Sequence, residues 1–254
     1  MATSPQLQLR QRLESLRAAG VEFLPRTPTL PTPVAIAAVR SLPASPAQAI
    51  EPVSVPVDTR RVSLGLLAKE IASCNLCPEL FSTRTQTVFG TGPLDADICF
   101  VGEAPGADED RLGEPFVGAA GQLLDKIIAK CGLRREDVYI LNILKCRPPS
   151  NRTPEPLECA NCEPFLSRQL DLIRPKVLCC LGGVAAKNLL QTKTGITALR
   201  GRLHHARGLP VVCTYHPSYL LRLTGEAEAR AKWECWDDMK LLLRTAGRSV
   251  PGET

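Results

Sequence analysis

The fold is decided by residues 97–106, DICFVGEAPG, where a short apolar run passes directly into a glycine-rich loop. The run at 97–101 predicts a buried strand, because it is short, apolar and ends at a glycine. Two glycines and a proline then predict a tight loop with exposed backbone amides, which suits close approach to a flat or anionic ligand. An ordinary strand-to-helix turn is the alternative interpretation of this loop.

Apolar runs and helical segments alternate on both sides of this stretch. The predicted strands cover residues 97–101, 138–144, 177–181 and 210–214, and the predicted helices cover 62–73, 121–130, 158–173, 184–190 and 227–243. Such alternation predicts an α/β protein with a four-stranded, mainly parallel sheet covered by helices on both faces. Ligands bind beyond the carboxyl ends of the strands in such sheets.

The two ends of the chain differ from this domain in composition. Residues 1–24 include a possible helix with three leucines on one face, and residues 25–60 form an extended linker, because eight prolines lie between Pro25 and Pro56. The folded domain is predicted over residues 61–245, followed by a disordered tail at 246–254.

Composition narrows the function classes only slightly. The net charge of +5 and the pI of about 8.7 permit a nucleic-acid partner without requiring one. No run of about 18 apolar residues and no signal-peptide pattern occurs, so we expect a cytoplasmic protein with no membrane partner. In a reducing compartment the eleven cysteines favour metal or redox sites over disulfides, although Cys99, Cys179, Cys180 and Cys213 lie in apolar runs typical of a core.

Polar residues follow the second predicted strand. Asn142 lies inside an apolar run, and its amide offers one acceptor and two donors, a pattern that fits the N3 and O4 edge of uracil but not that of cytosine. A structural asparagine that caps a neighbouring loop is the alternative. Lys145, Arg147 and Arg152 form a basic strip suited to phosphates, or simply a solvated charged surface.

Two ring side chains follow other strands. Phe116, held in a loop between Pro115 and Gly118, can stack on a base or anchor its loop in the core. His216 follows the fourth predicted strand, where a lone histidine is more often structural. Unusual residues at several strand ends together favour a binding site at that edge of the sheet.

Five cysteines predict a metal site whose ligand set stays open. Cys74 and Cys77 form one C-x2-C pair. Cys159 with Cys162 would complete a zinc site, whereas Cys146 with Cys162 would suit an iron–sulfur cluster.

Four motifs carry a family resemblance. The chain resembles the family 4 uracil-DNA glycosylases over residues 62–244, through GEAPG at 102–106, FVGAAGQLL at 116–124, KCRPPSNR at 145–152 and HPSYLLR at 216–222. The resemblance implies a three-layer α/β/α fold and a DNA-repair enzyme that flips uracil from DNA and hydrolyses its bond to the sugar, leaving an abasic site. We expect a monomer that acts on single- or double-stranded DNA. Its expected location is a bacterial-type cytoplasm, where it acts at the nucleoid.

The resemblance also implies the site residues. It places a [4Fe–4S] cluster on Cys74, Cys77, Cys146 and Cys162, with Cys159 as a bystander. Uracil would be stacked by Phe116, read by Asn142, and held at O2 by His216 and by the backbone at Glu103 and Ala104.

Further roles concern catalysis and DNA. By resemblance, Glu109 shapes the pocket and pairs with Asn151 or a water. The expected DNA contacts are Lys145, Arg147, Arg152, Ser218, Arg222 and an apolar wedge at Leu220 or Leu221.

One departure from the wider superfamily bears on the mechanism. Ala104 stands where the best-known uracil glycosylases carry a water-positioning aspartate. We therefore expect a dissociative path, with the departing uracil stabilised by His216 and the water oriented by Glu103, Glu109 or Asn151.

Two alternatives differ in kind. A relative that traps uracil-DNA covalently carries a Lys-Arg-Arg-Ile-His insertion, which is missing after residue 106. A non-catalytic zinc or iron–sulfur module that binds nucleic acid would leave Asn142, Phe116 and His216 without a role. The partner of the N-terminal region is unknown.

Overall fold

The computed structural model describes residues 57–253. The predicted N-terminal helix at 1–24 and linker residues 25–56 lie outside this range. Residues 57–60, also predicted as linker, instead begin the first helix. The helices are α1 (Val57–Ala72), α2 (Pro78–Thr83), α3 (Ala107–Leu112), α4 (Ala119–Lys130), α5 (Pro156–Ile173), α6 (Gly183–Leu190), α7 (Ile196–Leu199), α8 (Pro217–Leu220) and α9 (Gly225–Thr245).

The sheet contains five strands rather than the four predicted. They are β1 (Ile98–Gly102), β2 (Tyr139–Asn142), β3 (Val177–Leu181), β4 (Leu203–Ala206) and β5 (Leu209–Thr214), in the order β2-β1-β3-β5-β4. All neighbours are parallel except β4 and β5. The prediction missed β4 because this edge strand is half exposed and contains two histidines. Its hairpin turns at Arg207 and Gly208, both with positive φ, as a two-residue type I′ turn requires.

Helices cover both faces of the sheet, which confirms the three-layer α/β/α fold. Because side chains alternate along each strand, every strand supplies residues to two separate cores. On one face, the strands pack against α5 and α6 through Leu166, Leu170 and Ala186. On the other face, they pack against α4 and α9 through Leu124 and Met239.

The order of the strands determines where a binding crevice can form. The chain leaves β1 to form β2 on one side and then crosses to form β3 on the other side. The loops that follow β1 and β3 therefore diverge, which opens a crevice at the carboxyl edge of the sheet. The second strand ends at Asn142, two residues earlier than predicted, so that this asparagine stands at the crevice.

Residues 246–253 do not form the disordered tail that was predicted for 246–254. Ala246 and Val250 are buried in the core beneath α9. Arg248 forms an ion pair with Asp97 at 3.0 Å. Residues 246–253 therefore complete the domain. No helix within 57–253 is long and apolar enough to cross a membrane.

Candidate active site

A cleft of about 640 Å³ opens at the carboxyl edge of the sheet, among the loops that follow β1, β2, β3 and β5. It gathers most of the predicted site residues, as the strand-end argument requires. Those that line it are Glu103, Ala104, Glu109, Phe116, Asn142, Asn151, Arg152, His216, Ser218 and Arg222.

Asn142 lies at the floor of the cleft with an unused acceptor. Its side chain is 2% exposed, and Oδ1 has no hydrogen-bond partner within the described residues. A buried amide oxygen without a partner costs about 1–3 kcal/mol, so it points to a donor supplied by a ligand. Gly102 makes the space, because a Cβ there would lie 2.3 Å from Asn142 Oδ1 and 2.5 Å from Phe116 Cζ.

Phe116 forms one wall of the cleft and is also part of the core. Its ring is 5% exposed and lies 5.6 Å from the His216 ring, centroid to centroid, at an interplanar angle of 34°. Its φ of 54° is left-handed, a conformation that a bulky residue adopts only under constraint. Gly121 supplies part of this constraint, since a Cβ there would lie 1.9 Å from the Phe116 carbonyl oxygen. The ring of Phe116 therefore anchors its loop in the core and also lines the cleft.

Glu109 joins two loops. It does not form the expected pair with Asn151. Its carboxylate accepts backbone N–H groups from Gly106 at 3.1 Å and from Val117 and Gly118 at 2.9 Å each. The side chain therefore holds the glycine-rich loop against the loop that carries Phe116. Asn151 Oδ1 instead accepts a hydrogen bond from Arg147 Nε at 2.8 Å.

His216 is held as a neutral donor. The Ser218 backbone N–H donates to Nδ1 at 3.1 Å, and the Ser218 hydroxyl lies 2.8 Å from the same nitrogen. A backbone N–H can only donate, so Nδ1 is the acceptor and the proton of the neutral ring is on Nε2. Burial lowers the pKa of His216 to about 4; the charge of Arg222 acts in the same direction, and Glu109 opposes both.

Glu103 is the carboxylate in the cleft without a backbone partner of its own. Its side chain is partly buried, and desolvation raises its pKa above the ordinary value for glutamate. Next to it, the backbone N–H of Ala104 has no acceptor within the described residues. The loop thus presents an unpaired donor and a carboxylate to the cleft.

The predicted basic strip does not exist as a continuous surface. Lys145 is 1% exposed, and its ammonium donates to the Asn142 carbonyl oxygen at 2.8 Å, so it cannot reach a DNA phosphate. Arg152 is occupied by two carboxylates, Glu158 at 2.7 Å and Glu79 at 2.6 Å. The prediction that Lys145 contacts a DNA phosphate is therefore wrong. Arg152 joins α2 to α5 through its two ion pairs.

The two wedge candidates are separated by their exposure. Leu220 is 3% exposed and packs with Tyr215, Ala231 and Cys235, so it cannot enter DNA. Leu221 is 51% exposed and lies just beyond α8, which leaves it as the single candidate of the pair.

Four of the cysteines share one environment. Cys74, Cys77, Cys146 and Cys162 belong to a cluster with apolar residues of α1, α2 and α5, whereas Cys159 packs in the core between α5 and the sheet. All eleven cysteines lie within 57–253, and none forms a disulfide.

Two side chains donate hydrogen bonds to sulfur atoms of this cluster. Arg84 Nη1 lies 3.0 Å from Cys146 Sγ, and Asn161 Nδ2 lies 3.5 Å from Cys77 Sγ. Within the described residues, no three histidine, cysteine or acidic side chains lie close enough to hold a single metal ion.

Several residues that line the cleft were not predicted from the sequence. Gly182 has a φ of 89°, and a Cβ there would lie 2.9 Å from His216 Cβ, so this glycine makes room for the histidine. The Gly182-Gly183 pair after β3 was the signal for this contact. Lys187 and Thr197 also line the cleft, from α6 and α7. No motif marks these two residues, because they reach the cleft only through the packing of their helices.

The chain is similar to known proteins over most of the described domain. Residues 89–240 match the family described as the uracil DNA glycosylase superfamily. The chain is 45% identical to the type-4 uracil-DNA glycosylase of Archaeoglobus fulgidus, over 74% of this chain and 96% of that protein. It is 42% identical to the type-4 uracil-DNA glycosylase of Thermotoga maritima, over 74% of this chain and 99% of that protein. The chain therefore belongs to the uracil DNA glycosylase superfamily and, within it, to the type-4 uracil-DNA glycosylases.

Proposed function

We propose that the protein flips uracil out of DNA into the cleft and hydrolyses its N-glycosidic bond, leaving an abasic site. The observation that carries this proposal is the buried, unpaired Oδ1 of Asn142. It matches the N3–H of uracil, while the amide donors of Asn142 match O4. Cytosine presents an acceptor at N3 and would leave the same buried oxygen unpaired. The ring of Phe116 supplies the stacking wall.

The bond breaks by stabilisation of the departing base. Nε2–H of neutral His216 and the N–H of Ala104 donate to uracil O2 as negative charge develops there. Preorganised donors of this kind act strongly in a buried site because they need not reorganise during the reaction. Because Ala104 supplies no carboxylate, and Glu109 is engaged by three amides, Glu103 is the group we assign to orient the water that meets the sugar cation.

The cysteine cluster fits a [4Fe–4S] cofactor better than it fits a single ion. Each thiolate of a four-iron cluster binds a different iron, so the four sulfurs must stand farther apart than around one zinc. The apolar surroundings and the N–H donors from Arg84 and Asn161 are typical of such a site. We assign Cys74, Cys77, Cys146 and Cys162 as its ligands. These residues would hold the group between the segment that joins α1 to α2, the first turns of α5 and the loop after β2.

Uracil-specific strand nicking tests the proposed function. A synthetic oligonucleotide with a single uracil should become alkali-labile at that base in EDTA, as a single strand and as a duplex. The same strand with thymine or cytosine at that position should stay intact. Failure to nick the uracil strand by protein that carries its full complement of iron would overturn the proposal.

Glu109→Gln should destabilise the domain rather than only slow the chemistry. The amide of glutamine provides one acceptor oxygen, so at least one of the three backbone N–H groups loses its partner. We expect the free energy of unfolding to fall by about 1–3 kcal/mol, measured by denaturant titration. Glu114→Gln, at an exposed glutamate of the same loop region, should leave it unchanged. A lower excision rate at unchanged stability would instead identify Glu109 as a catalytic base.

Leu221→Ala should impair excision from duplex DNA much more than from single strands. A wedge stabilises the gap left by a flipped base, and a single strand has no stacked partner to separate. We expect about a ten-fold loss of single-turnover rate on the duplex, which corresponds to about 1.4 kcal/mol of the few kcal/mol that opening a base pair costs. Leu203→Ala, at an exposed leucine of the β4 edge, is the matched control. An equal loss on both substrates would exclude a wedge role for Leu221.

A further inference from the structure

Residues 142–146 join the two halves of the proposed machinery in a single short stretch. Asn142 stands at the floor of the cleft, and Cys146 belongs to the cysteine cluster. Lys145 lies between them, and its ammonium folds back to the Asn142 carbonyl oxygen at 2.8 Å. The backbone here is also fixed, because Leu144 N–H donates to the Glu103 carbonyl and Val88 N–H donates to the Lys145 carbonyl.

The ammonium group of Lys145 has no carboxylate partner among the side chains of residues 57–253. The side chain is 1% exposed, and no carboxylate of this part of the chain forms an ion pair with it, unlike Lys176, Lys232 and Lys240. The residues on either side of it, Leu144 and Cys146, belong to the same cluster as Cys162. A buried cation with a single carbonyl partner is costly. A compensating negative charge on the cysteine side is the simplest resolution.

We infer that Lys145 is the counter-charge of the iron–sulfur cluster and, through its hydrogen bond to Asn142, couples the cluster to uracil recognition. This inference rests on the proposed function. Four thiolates around a four-iron, four-sulfide core would leave a net negative charge, which the buried ammonium would offset. Lys145 is thus a positioning residue: it touches neither uracil nor the sugar, and it holds the backbone of the residue that reads the base.

Lys145→Met tests the counter-charge, because methionine keeps the length and removes the charge. The holoprotein should lose iron to a chelator about 10- to 100-fold faster than wild type, the usual cost of removing an outer partner of a metal site. Its reduction potential should fall, because a cluster without its nearby cation accepts an electron less readily. Lys145→Arg should retain iron, and Lys69→Met, at an exposed lysine of α1, should match wild type. Unchanged iron loss and potential in Lys145→Met would overturn the counter-charge.

The coupling itself can be tested on the wild-type holoprotein, whether or not Lys145→Met folds. Coupling between two sites is reciprocal in binding free energy. A uracil that fixes Asn142 also fixes Lys145 and Cys146 through residues 142–146, so occupancy of the uracil pocket should slow the loss of iron to the chelator. The probe is an oligonucleotide with 2′-fluoro-2′-deoxyuridine, which resists cleavage, and the control is the same strand with thymine. Equal rates of iron loss with both strands would refute the coupling. Such a result in a protein that still excises uracil leaves the proposed function standing, whereas absence of excision removes that function itself.

Discussion

His216→Ala should lower the single-turnover rate of uracil excision by about 10²–10³-fold, the usual effect of deleting one preorganised donor to a developing oxyanion. Nδ1 already accepts the Ser218 backbone N–H, so the proton of the neutral ring is on Nε2, the nitrogen that we assign as the donor to uracil. The substitution removes that donor while the fold persists, because the ring lies at the edge of the cleft. Full activity of His216→Ala would refute the oxyanion role. His205→Ala, at an exposed histidine of β4, is the matched control.

The pH dependence gives an independent check on the same residue. Burial lowers the pKa of His216 to about 4, so the ring stays neutral between pH 6 and pH 8 and excision should not titrate with it there. The unfolded chain takes up the proton near pH 6.5, whereas the folded chain takes it up only near pH 4. The folded state is therefore favoured above pH 6.5 and loses this contribution as the pH falls towards 4.

Asn142→Ala should abolish most uracil excision, by about 10²-fold or more, because it removes the hydrogen bonds to both N3 and O4 in a buried pocket. The loss should appear in kcat/KM, measured with the single-uracil oligonucleotide. Asn188→Ala, which deletes another partly buried amide outside the cleft, is the control. Retained activity in Asn142→Ala would mean that the base is recognised by Phe116 and shape alone.

Asn142→Asp separates hydrogen bonding from size. Aspartate fills the same space but has no donor for O4, and its charge repels that carbonyl oxygen. Excision of uracil should therefore fall as far as in Asn142→Ala. Near wild-type excision by this variant would indicate that the asparagine supplies packing and not base recognition.

The buried strands were predictable because their sequences are short, apolar and bounded by glycine or polar residues. The prediction for β3 matches the structure at both ends. β4 was not predictable in this way, since an edge strand alternates exposed and partly buried residues and here contains no apolar run. Its Arg207-Gly208 turn was a weak signal, because one arginine and one glycine occur in many loops.

The candidate site followed from strand ends, but the contacts of its charged residues did not. Lys145 stands between a leucine and a cysteine in a motif rich in basic residues, and nothing in the sequence distinguishes it from an exposed lysine. Its burial follows from the way that residues 143–145 continue alongside the loop after β1. In the same way, the carboxylate of Glu109 reaches the Val117 and Gly118 amides only after two loops have met, whereas its bond to Gly106 lies within the first turn of α3.

The most direct test of the account is the secondary isotope effect at C1′ of the deoxyuridine, measured as single-turnover uracil release from DNA with hydrogen or deuterium at that carbon. Departure of the base ahead of water attack gives the sugar cation character and predicts a large normal effect. Because Ala104 offers no carboxylate to drive the water, we expect that result. An isotope effect close to unity would mean that water attacks as the base leaves, and would contradict leaving-group stabilisation as the source of catalysis.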